Sequence, residues 1–417
     1  MNVVLKPGWN YRKLDDLGFI GRGKSKHRPR DDPSLYGGKY PFIQTGEVKA
    51  ANLYISQYSQ TYNENGLSQS KLWRPETLLI TIAANIAETA ILKIEACFPD
   101  SIVGFVADPK KADVRFVKYC MDTMKLRMQN VSKGTTQDNL SLDKLLTFDF
   151  LVPPLPTQRK IAAILSAYDD LIENNTRRIK ILEEMTQALY REWFVKFRFP
   201  GHETVRMVES ELGMVPEGWK IKKLGDIVKN VRISVIPGPQ TLDLPYVPID
   251  CLPRKSLALL ESKPGSEAQS SLFSFKKYDI LFGAMRSYFH KVVMAPFDGT
   301  TRSTCFVLRP IEEINYSYAV LTLFEESTVS YSSKQSRGTT IPYAVWDGAL
   351  ENMPIVMPPE ELRSKINRTV KPILERIAIS LFRQTNLRRT RDLLLPKLIS
   401  GEVDMEKLDI NIPAEAA

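Results

Sequence analysis

The stretch that decides the fold is residues 153–195, PPLPTQRKIAAILSAYDDLIENNTRRIKILEEMTQALYREWFV. Residues 157–195 contain neither proline nor glycine over 39 positions. Apolar side chains recur there every seven residues, with a second set three residues later: Ile161, Tyr168, Leu182 and Leu189, then Ile164, Leu171 and Met185. This pattern predicts one long amphipathic helix that packs against another helix.

Polar residues interrupt both apolar rows of this predicted helix. Asn175 occupies one row and Arg178 the other, and polar residues at such positions set the register of paired helices. Four further residues, Leu165, Ile172, Ile179 and Trp193, widen the apolar stripe. The candidates for helix pairing or partner docking are Asn175, Arg178, Leu182, Leu189, Leu387 and Leu394.

The whole chain is a two-fold repeat. PGW at residues 7–9 and the following RKLDDLG recur as PEGW at 216–219 and KKLGDIV. Gly134-Thr135-Thr136 recurs as Gly338-Thr339-Thr340, and each copy leads through VPP or MPP into a long helical pattern. So many landmarks in the same order indicate one duplicated domain rather than a solenoid.

The repeat predicts two mixed α+β domains and two long helices. The expected segments are residues 1–153, a central helix at 154–199, residues 200–357, a C-terminal helix at 358–402 and a tail at 403–417. Two such helices most economically bury their stripes against each other as an antiparallel pair, which gives the chain an internal pseudo-two-fold axis. Pro372 should kink or divide the second helix.

Composition is ordinary for a globular protein. The chain has 417 residues, 25% of them charged, and a formal net charge of +9, which suits a polyanionic partner. Four scattered cysteines with no CxxC motif suit a reducing cytosol, so we expect a cytoplasmic protein. Residues 1–10 do not resemble a signal peptide, no stretch is apolar enough for a bilayer, and three dispersed histidines argue against a metal site.

Motifs for catalysis fail in their context. GFIGRGKS at residues 18–25 fits the phosphate-binding P-loop formally, but Pro29 and Pro33 forbid the helix that must follow it. Pro99-Asp100 with Asp108-Pro109-Lys110 fits a nuclease pattern only loosely, and Val152 and Leu155 replace the residues that an adenine methyltransferase has around its double proline. These failures favour a recognition protein, so no catalytic residue is expected.

Basic loops are the candidate DNA contacts. Arg22, Lys24, Lys26, Arg28 and Arg30 alternate along nine residues without an acid, although a merely solvated loop fits as well. The repeated GTT segments carry a cation and two hydroxyls, which suit phosphate contacts, or form a plain turn. The further candidates are Gln44, Lys133, Thr135, Thr136, Arg286, Arg337, Thr339 and Thr340.

These residues together resemble the specificity subunit of type I restriction–modification enzymes. The resemblance covers essentially the whole chain and is strongest in GTT before VPPLPTQRKIAAIL and in the C-terminal LLLPKLISGE of residues 393–402. It implies two target-recognition domains that read a bipartite double-stranded DNA sequence, with the helices as an antiparallel coiled-coil spacer. It also implies a non-catalytic chain that docks two methyltransferase subunits and restriction/translocase subunits, with no membrane association. S-adenosylmethionine, ATP and Mg²⁺ would then be bound by those partners and not by this chain.

Two other interpretations stay open from the residues. One is a catalytic single-chain nuclease or methyltransferase with built-in DNA recognition. The other is a protein-interaction scaffold whose basic charge only solvates it. Cleavage or methyl transfer by the isolated chain would support the first interpretation. Salt-dependent binding to duplex DNA would argue against the second.

Overall fold

The computed structural model describes residues 6–132, 139–405, 408 and 410. The chain divides into two units, one from residues 1–173 with 387–417 and one from residues 174–386. Each unit therefore includes part of both long helices, whereas the sequence segments assigned each helix a segment of its own. Lys133, Thr135 and Thr136, proposed above as DNA contacts, lie outside the described residues.

The first unit is built on a five-stranded sheet with the order β2-β8-β6-β7-β4 and two smaller pairs, β1-β9 and β3-β5. Its strands are β1 Asn10–Arg12, β2 Gly18–Arg22, β3 Tyr36–Phe42, β4 Tyr54–Ile55, β5 Gln60–Tyr62, β6 Thr77–Thr81, β7 Thr89–Leu92, β8 Ile102–Ala107 and β9 Phe150–Val152. Its helices, the last of which continues into the second unit, are α1 Leu14–Leu17, α2 Thr45–Ala50, α3 Glu64–Ser68, α4 Val114–Ser132, α5 Leu142–Leu145 and α6 Leu155–Tyr190. All residues of β6 and β7 are buried, as their continuous apolar runs predict.

The second unit repeats this plan with a four-stranded sheet of order β13-β19-β16-β17, beside β14-β15-β18, β12-β20 and β10-β11. Its strands are β10 Met207–Ser210, β11 Gly213–Pro216, β12 Lys220–Lys223, β13 Val228–Asn230, β14 Ser234–Val235, β15 Leu272–Phe275, β16 Ile280–Gly283, β17 Val292–Met294, β18 Gly299–Thr301, β19 Cys305–Pro310 and β20 Pro354–Met357. Its helices are α7 Pro239–Leu242, α8 Tyr316–Phe324, α9 Glu326–Lys334 and α10 Glu360–Ile399, which continues into the first unit.

The duplicated sequence is a duplicated topology. Strands β2-β8-β6-β7 pair in the same order and sense as β13-β19-β16-β17, and β1-β9 pairs antiparallel as β12-β20 does. Left-handed backbone also recurs at three equivalent positions around β6 and β16: Glu76 and Tyr278, Ala84 and Arg286, Ala87 and His290. The shared strand order and the matching left-handed positions confirm the repeat down to single residues.

The repeated PGW and KL motifs have a structural role. Trp9 and Trp219 are buried, each after a glycine with positive φ, 77° at Gly8 and 85° at Gly218. Glycine is required because other residues adopt this conformation only with strain. In each copy an aspartate accepts a hydrogen bond from a lysine backbone N–H three residues earlier, at 3.0 Å for Asp16 and 2.9 Å for Asp226. The motif is therefore a capped turn that seats a tryptophan in the core.

The long helices follow the sequence pattern with two corrections. Helix α6 is continuous and ends in a π-helical turn, Arg191–Val195. Pro372 does not divide α10, because it is exposed and water can hydrogen-bond the carbonyl that it leaves free. Arg178 does not lie on the packed stripe: it is exposed, as are Leu171 and Met185 in the same predicted row. The buried stripe instead includes Leu165, Ile172 and Ile179.

Helices α6 and α10 contact each other within each unit. In the first unit, Lys160 Nζ reaches the carbonyl of Met405 at 3.2 Å, and Asp169, farther along α6, pairs with Arg391. In the second unit, Asn175 Nδ2 donates to the Ser380 carbonyl at 2.7 Å and Gln384 Nε2 donates to Thr176 Oγ1 at 2.9 Å. Rising α6 numbers meet falling α10 numbers, so the predicted antiparallel pairing is confirmed.

Candidate nucleic-acid interface

The first half of the basic loop in the first unit has a backbone that hydrogen bonds hold in place and basic side chains that are exposed. The Gly23 N–H donates to the Ile102 carbonyl at 2.9 Å and the Lys24 N–H to the Phe98 carbonyl at 3.0 Å. A Cβ at position 23 would approach the Pro99 carbonyl oxygen to 2.3 Å, so only glycine allows this contact. Arg22, Lys24 and Lys26 project into solvent from this held backbone. They present three positive charges from a backbone that is already ordered.

Tertiary structure changes the charge of the loop's second half. Arg30 pairs with Asp100 at 2.6 Å and Arg28 lies 3.8 Å from the same carboxylate. The loop sequence contains no acid, so the sequence alone predicts a higher positive charge than the loop has. The neutralising carboxylate belongs to Asp100, 70 positions after Arg30. Hydrogen bonds from Ser34, and then from His27, lower the pKa of the neighbouring Asp32.

Lys71 also belongs to this surface, although no sequence motif pointed to it. Its Nζ lies 3.7 Å from the ring centroid of Trp73 and 4.9 Å from that of Phe19. Burial, and then the charge of Lys24, lowers the pKa of Lys71. Phe19 is 56% exposed, so an aromatic face is interleaved with cations next to the basic loop. Cations beside an exposed ring suit a surface that contacts phosphates.

Gln44 has a structural partner. It precedes α2, where its backbone N–H donates to Glu47, and its side-chain Nε2 donates to Gln60 Oε1 at 2.5 Å. The side chain is exposed, and a DNA contact at Gln44 stays a prediction.

In the second unit the structure brings together two candidates that are distant in sequence. The Arg286 N–H donates to the Pro342 carbonyl at 2.8 Å, and Arg337 and Tyr343 exchange two backbone hydrogen bonds of 2.8 Å that close the loop between them. Arg337, Thr339 and Thr340 are exposed on that loop. Arg286 and the GTT loop of residues 338–340 therefore form one surface.

The P-loop and nuclease interpretations do not match the geometry. Residues 18–22 of the P-loop-like motif are themselves strand β2, and Ser25 is buried beside the Tyr62 hydroxyl at 3.4 Å. Asp100 pairs with arginines, and Asp108 accepts the Lys110 N–H at 3.0 Å. Within residues 6–132, 139–405, 408 and 410, no group of three potential metal-ligating side chains occurs.

The helix candidates divide between the two units. Asn175 lies at the packed seam, where it bonds Ser380 and Gln384 at 2.7 and 3.2 Å. Leu182 and Leu189 pack against the core of the second unit and Leu394 against that of the first, while Leu387 is half-buried. Partner docking by these residues stays a prediction.

Comparison with known proteins agrees with the repeat. A family model described as type I restriction modification DNA specificity domain matches residues 6–184 and again residues 216–386. The two matched stretches correspond to the two copies found in the sequence. The chain is 27% identical over 421 residues to the type I restriction enzyme MjaIX specificity subunit of Methanocaldococcus jannaschii, covering 96% of this chain and 94% of that one.

Two further proteins are similar. The type I restriction enzyme HindI specificity subunit of Haemophilus influenzae is 21% identical over 336 residues, which cover 65% of this chain and 72% of that one. The crystal structure of a type I restriction-modification system S subunit from M. genitalium has the same fold, with a TM-score of 0.62 at 15% identity over 95% of this chain and 98% of that one.

Proposed function

Because this chain belongs to the family of type I restriction modification DNA specificity domains, we propose that it reads a bipartite DNA target, one half-site with each copy of the repeat. The chain is a specificity subunit of a type I restriction–modification system and contains DNA sequence recognition domains. The observation that carries the bipartite target is one duplicated topology with two different surfaces. The basic loop that begins at Arg22 marks one, and Arg286 beside Arg337 marks the other.

The catalytic activities of the system lie in partner subunits. The proposed partners are two methyltransferase subunits, which would bind S-adenosylmethionine, and restriction/translocase subunits, which would bind ATP and Mg²⁺. Two methyltransferases match two copies of the repeat, since each half-site then has its own modifying subunit. This chain would recognise the target sequence and provide the surface on which the partner subunits dock, without binding a cofactor itself.

The helix pair supports a spacer between the half-sites. Helix α6 has 36 residues and is therefore about 54 Å long. One turn of B-DNA is about 34–36 Å, so a helix of this length is long enough for recognition over more than one turn. The hydrogen bond from Asn175 to Gln384 at the seam fits the proposed role of Asn175 in setting the register of the pair.

The proposed compartment is the cytoplasm, where the DNA lies. In the part of the chain that the structure describes, no helix has the length and apolar character needed to cross a bilayer. Cys97, Cys120, Cys251 and Cys305 are buried and free, which suits a reducing environment.

Reconstitution with the methyltransferase subunits tests the proposal. The isolated chain should transfer no methyl group from S-adenosylmethionine, and the reconstituted complex should methylate one bipartite sequence. Replacing residues 1–150 with those of another specificity subunit should change one half-site and leave the other half-site and the gap unchanged. Single-turnover methyl transfer by the isolated chain, or a swap that alters both half-sites, would contradict the proposal.

A further inference from the structure

One loop in each unit holds left-handed backbone at residues that are not glycine. In the second unit the loop between β16 and β17, residues 284–291, contains Arg286 at φ 51° and His290 at φ 52°. In the first unit the equivalent loop between β6 and β7, residues 82–88, contains Ala84 and Ala87 at φ 61°. Residues other than glycine rarely adopt this backbone conformation. Such strain persists only where surrounding contacts hold it in place, often at functional sites.

The same backbone contact holds both loops. Leu140 lies six residues after Gly134 and donates its N–H to the Ile82 carbonyl at 2.9 Å. Ala344 lies six residues after Gly338 and donates to the Ala284 carbonyl at 2.8 Å. A backbone hydrogen bond therefore holds the first residue of each loop in place, and this bond does not depend on the side chains of the loop.

The loop of the second unit has polar groups without partners. Within the described residues, Arg286 Nε, Ser287 Oγ and His290 Nε2 are buried and have no hydrogen-bond partner. His290 is 4% exposed, and its other ring nitrogen, Nδ1, donates to Glu326 Oε2 at 3.1 Å. Buried polar groups in native proteins are nearly always hydrogen-bonded, so three such atoms in one loop mark it as a candidate binding element.

The surroundings of the loop suit DNA. Arg254 lies 3.9 Å from the Phe289 ring centroid, and Arg337 is exposed on the adjoining loop. Tyr288, between the two left-handed residues, is 50% exposed. A strained loop with an arginine, an exposed aromatic ring and flanking cations matches a base-reading element set among phosphate contacts.

We propose that the loop between β16 and β17 in the second unit, residues 284–291, and the loop between β6 and β7 in the first, residues 82–88, are the base-reading elements of the two half-sites. Arg286 contacts a guanine through its planar fork, and Asn85, half-buried in the other loop, contacts an adenine. The flanking cations, Arg254 and Arg337, contact phosphate. This inference rests on the proposed bipartite recognition and names the side chains that perform it.

Reconstituted complexes with substituted loops test the inference. Arg286→Lys keeps the charge but loses the fork, so it should reduce discrimination at one base pair of one half-site about 10-fold or more. Asn85→Ala should do the same at one base pair of the other half-site. Arg206→Ala and Asn65→Ala, exposed residues of the same types outside the loops, should leave both half-sites unchanged. The readout is methylation of a library of randomised sites.

Each outcome has a separate meaning. If Arg286→Lys preserves discrimination while Arg286→Ala weakens methylation of all sequences equally, Arg286 contacts phosphate and the inference is wrong. Arg286→Gly relieves the left-handed strain and should keep the thermal midpoint while losing discrimination, which separates recognition from misfolding. If the unsubstituted complex methylates no bipartite site, the proposed function itself fails.

Discussion

Asp169 on α6 and Arg391 on α10 form an ion pair whose carboxylate is 2% exposed, and the Tyr119 hydroxyl donates to the same carboxylate at 2.6 Å. Three elements of the first unit, α4, α6 and α10, therefore meet at one buried charge. Burial, and then the charge of Asp169, raises the pKa of Tyr119, so this hydroxyl stays a donor at neutral pH. The ion pair therefore links α10 to the other helices of the first unit.

Asp169→Asn should destabilise the first unit by about 1–3 kcal/mol, because Arg391 then loses its buried counter-charge. Denaturant unfolding of the purified chain measures the effect. Asp392→Asn is the matched control: Asp392 also pairs with Arg391, at 2.9 Å, but is 61% exposed, so its loss should change stability by less than about 1 kcal/mol. Equal effects of the two substitutions would contradict the role given to Asp169.

Glu183 should make the stability of the second unit depend on pH. Burial raises the pKa of Glu183, while hydrogen bonds from Ser256 at 2.8 Å and from the Ala258 N–H at 2.9 Å lower it in part. The folded state keeps the proton at pH values where the unfolded carboxyl, with a pKa near 4.5, has lost it. The stability that the protonated carboxyl contributes is therefore fully present below about pH 4.5, and it is lost as the pH rises through the folded pKa.

Glu183→Gln tests this dependence. Relative to the variant, the unsubstituted chain should lose stability as the pH rises above about 4.5, as measured by denaturant unfolding at each pH. Glu184→Gln, at an exposed neighbour on the same helix, should leave the pH profile nearly unchanged. Parallel profiles for the chain and its Glu183→Gln variant would mean that the buried carboxyl stays ionised.

Loss of a phosphate contact should appear in the salt dependence of binding. Lys24→Ala and Arg337→Ala remove exposed cations on the two candidate surfaces and should weaken binding to all DNA sequences. Each should lower the slope of log affinity against log salt by about 0.9. Lys180→Ala, on the solvent side of α6, should leave the slope unchanged. An unchanged slope at Arg337 would leave residues 338–340 with only a structural role.

The long helices should set the gap between half-sites. Inserting four residues after Glu173 and four after Asn386 lengthens both helices by about 6 Å while keeping their pairing. At about 3.4 Å per base pair, the preferred gap should increase by one or two base pairs with both half-site sequences unchanged. The measurement is a methylation map of the reconstituted complex.

An insertion in α6 alone is the control for this experiment. It shifts Asn175 by one turn from its partners Ser380 and Gln384, so it should lower stability rather than give a clean change of gap. Altered half-site bases with an unaltered gap would show that the helices only support the recognition domains.

The fold was largely predictable because its main signals are local. The repeat of PGW, GTT and the double proline and the proline-free stretch at residues 157–195 predicted a duplicated domain with two paired helices. The details that failed depend on neighbours in space. Heptad counting placed Arg178 on the seam. A wide apolar stripe allows either of two neighbouring rows to face the partner helix, and in the structure the buried row is that of Ile172 and Ile179.

The sequence by itself determined the duplication, the paired helices, the family and the basic character of residues 22–30, because each is a pattern of residue types along one chain. Tertiary structure alone decided which charges are free and which side chains share a surface. Asp100 neutralises Arg30, Lys71 lies on Trp73, and Arg286 lies against the loop of Arg337. Most of these partners are tens of residues apart in the chain, and periodicity predicts which face a side chain occupies but not which distant residue it meets.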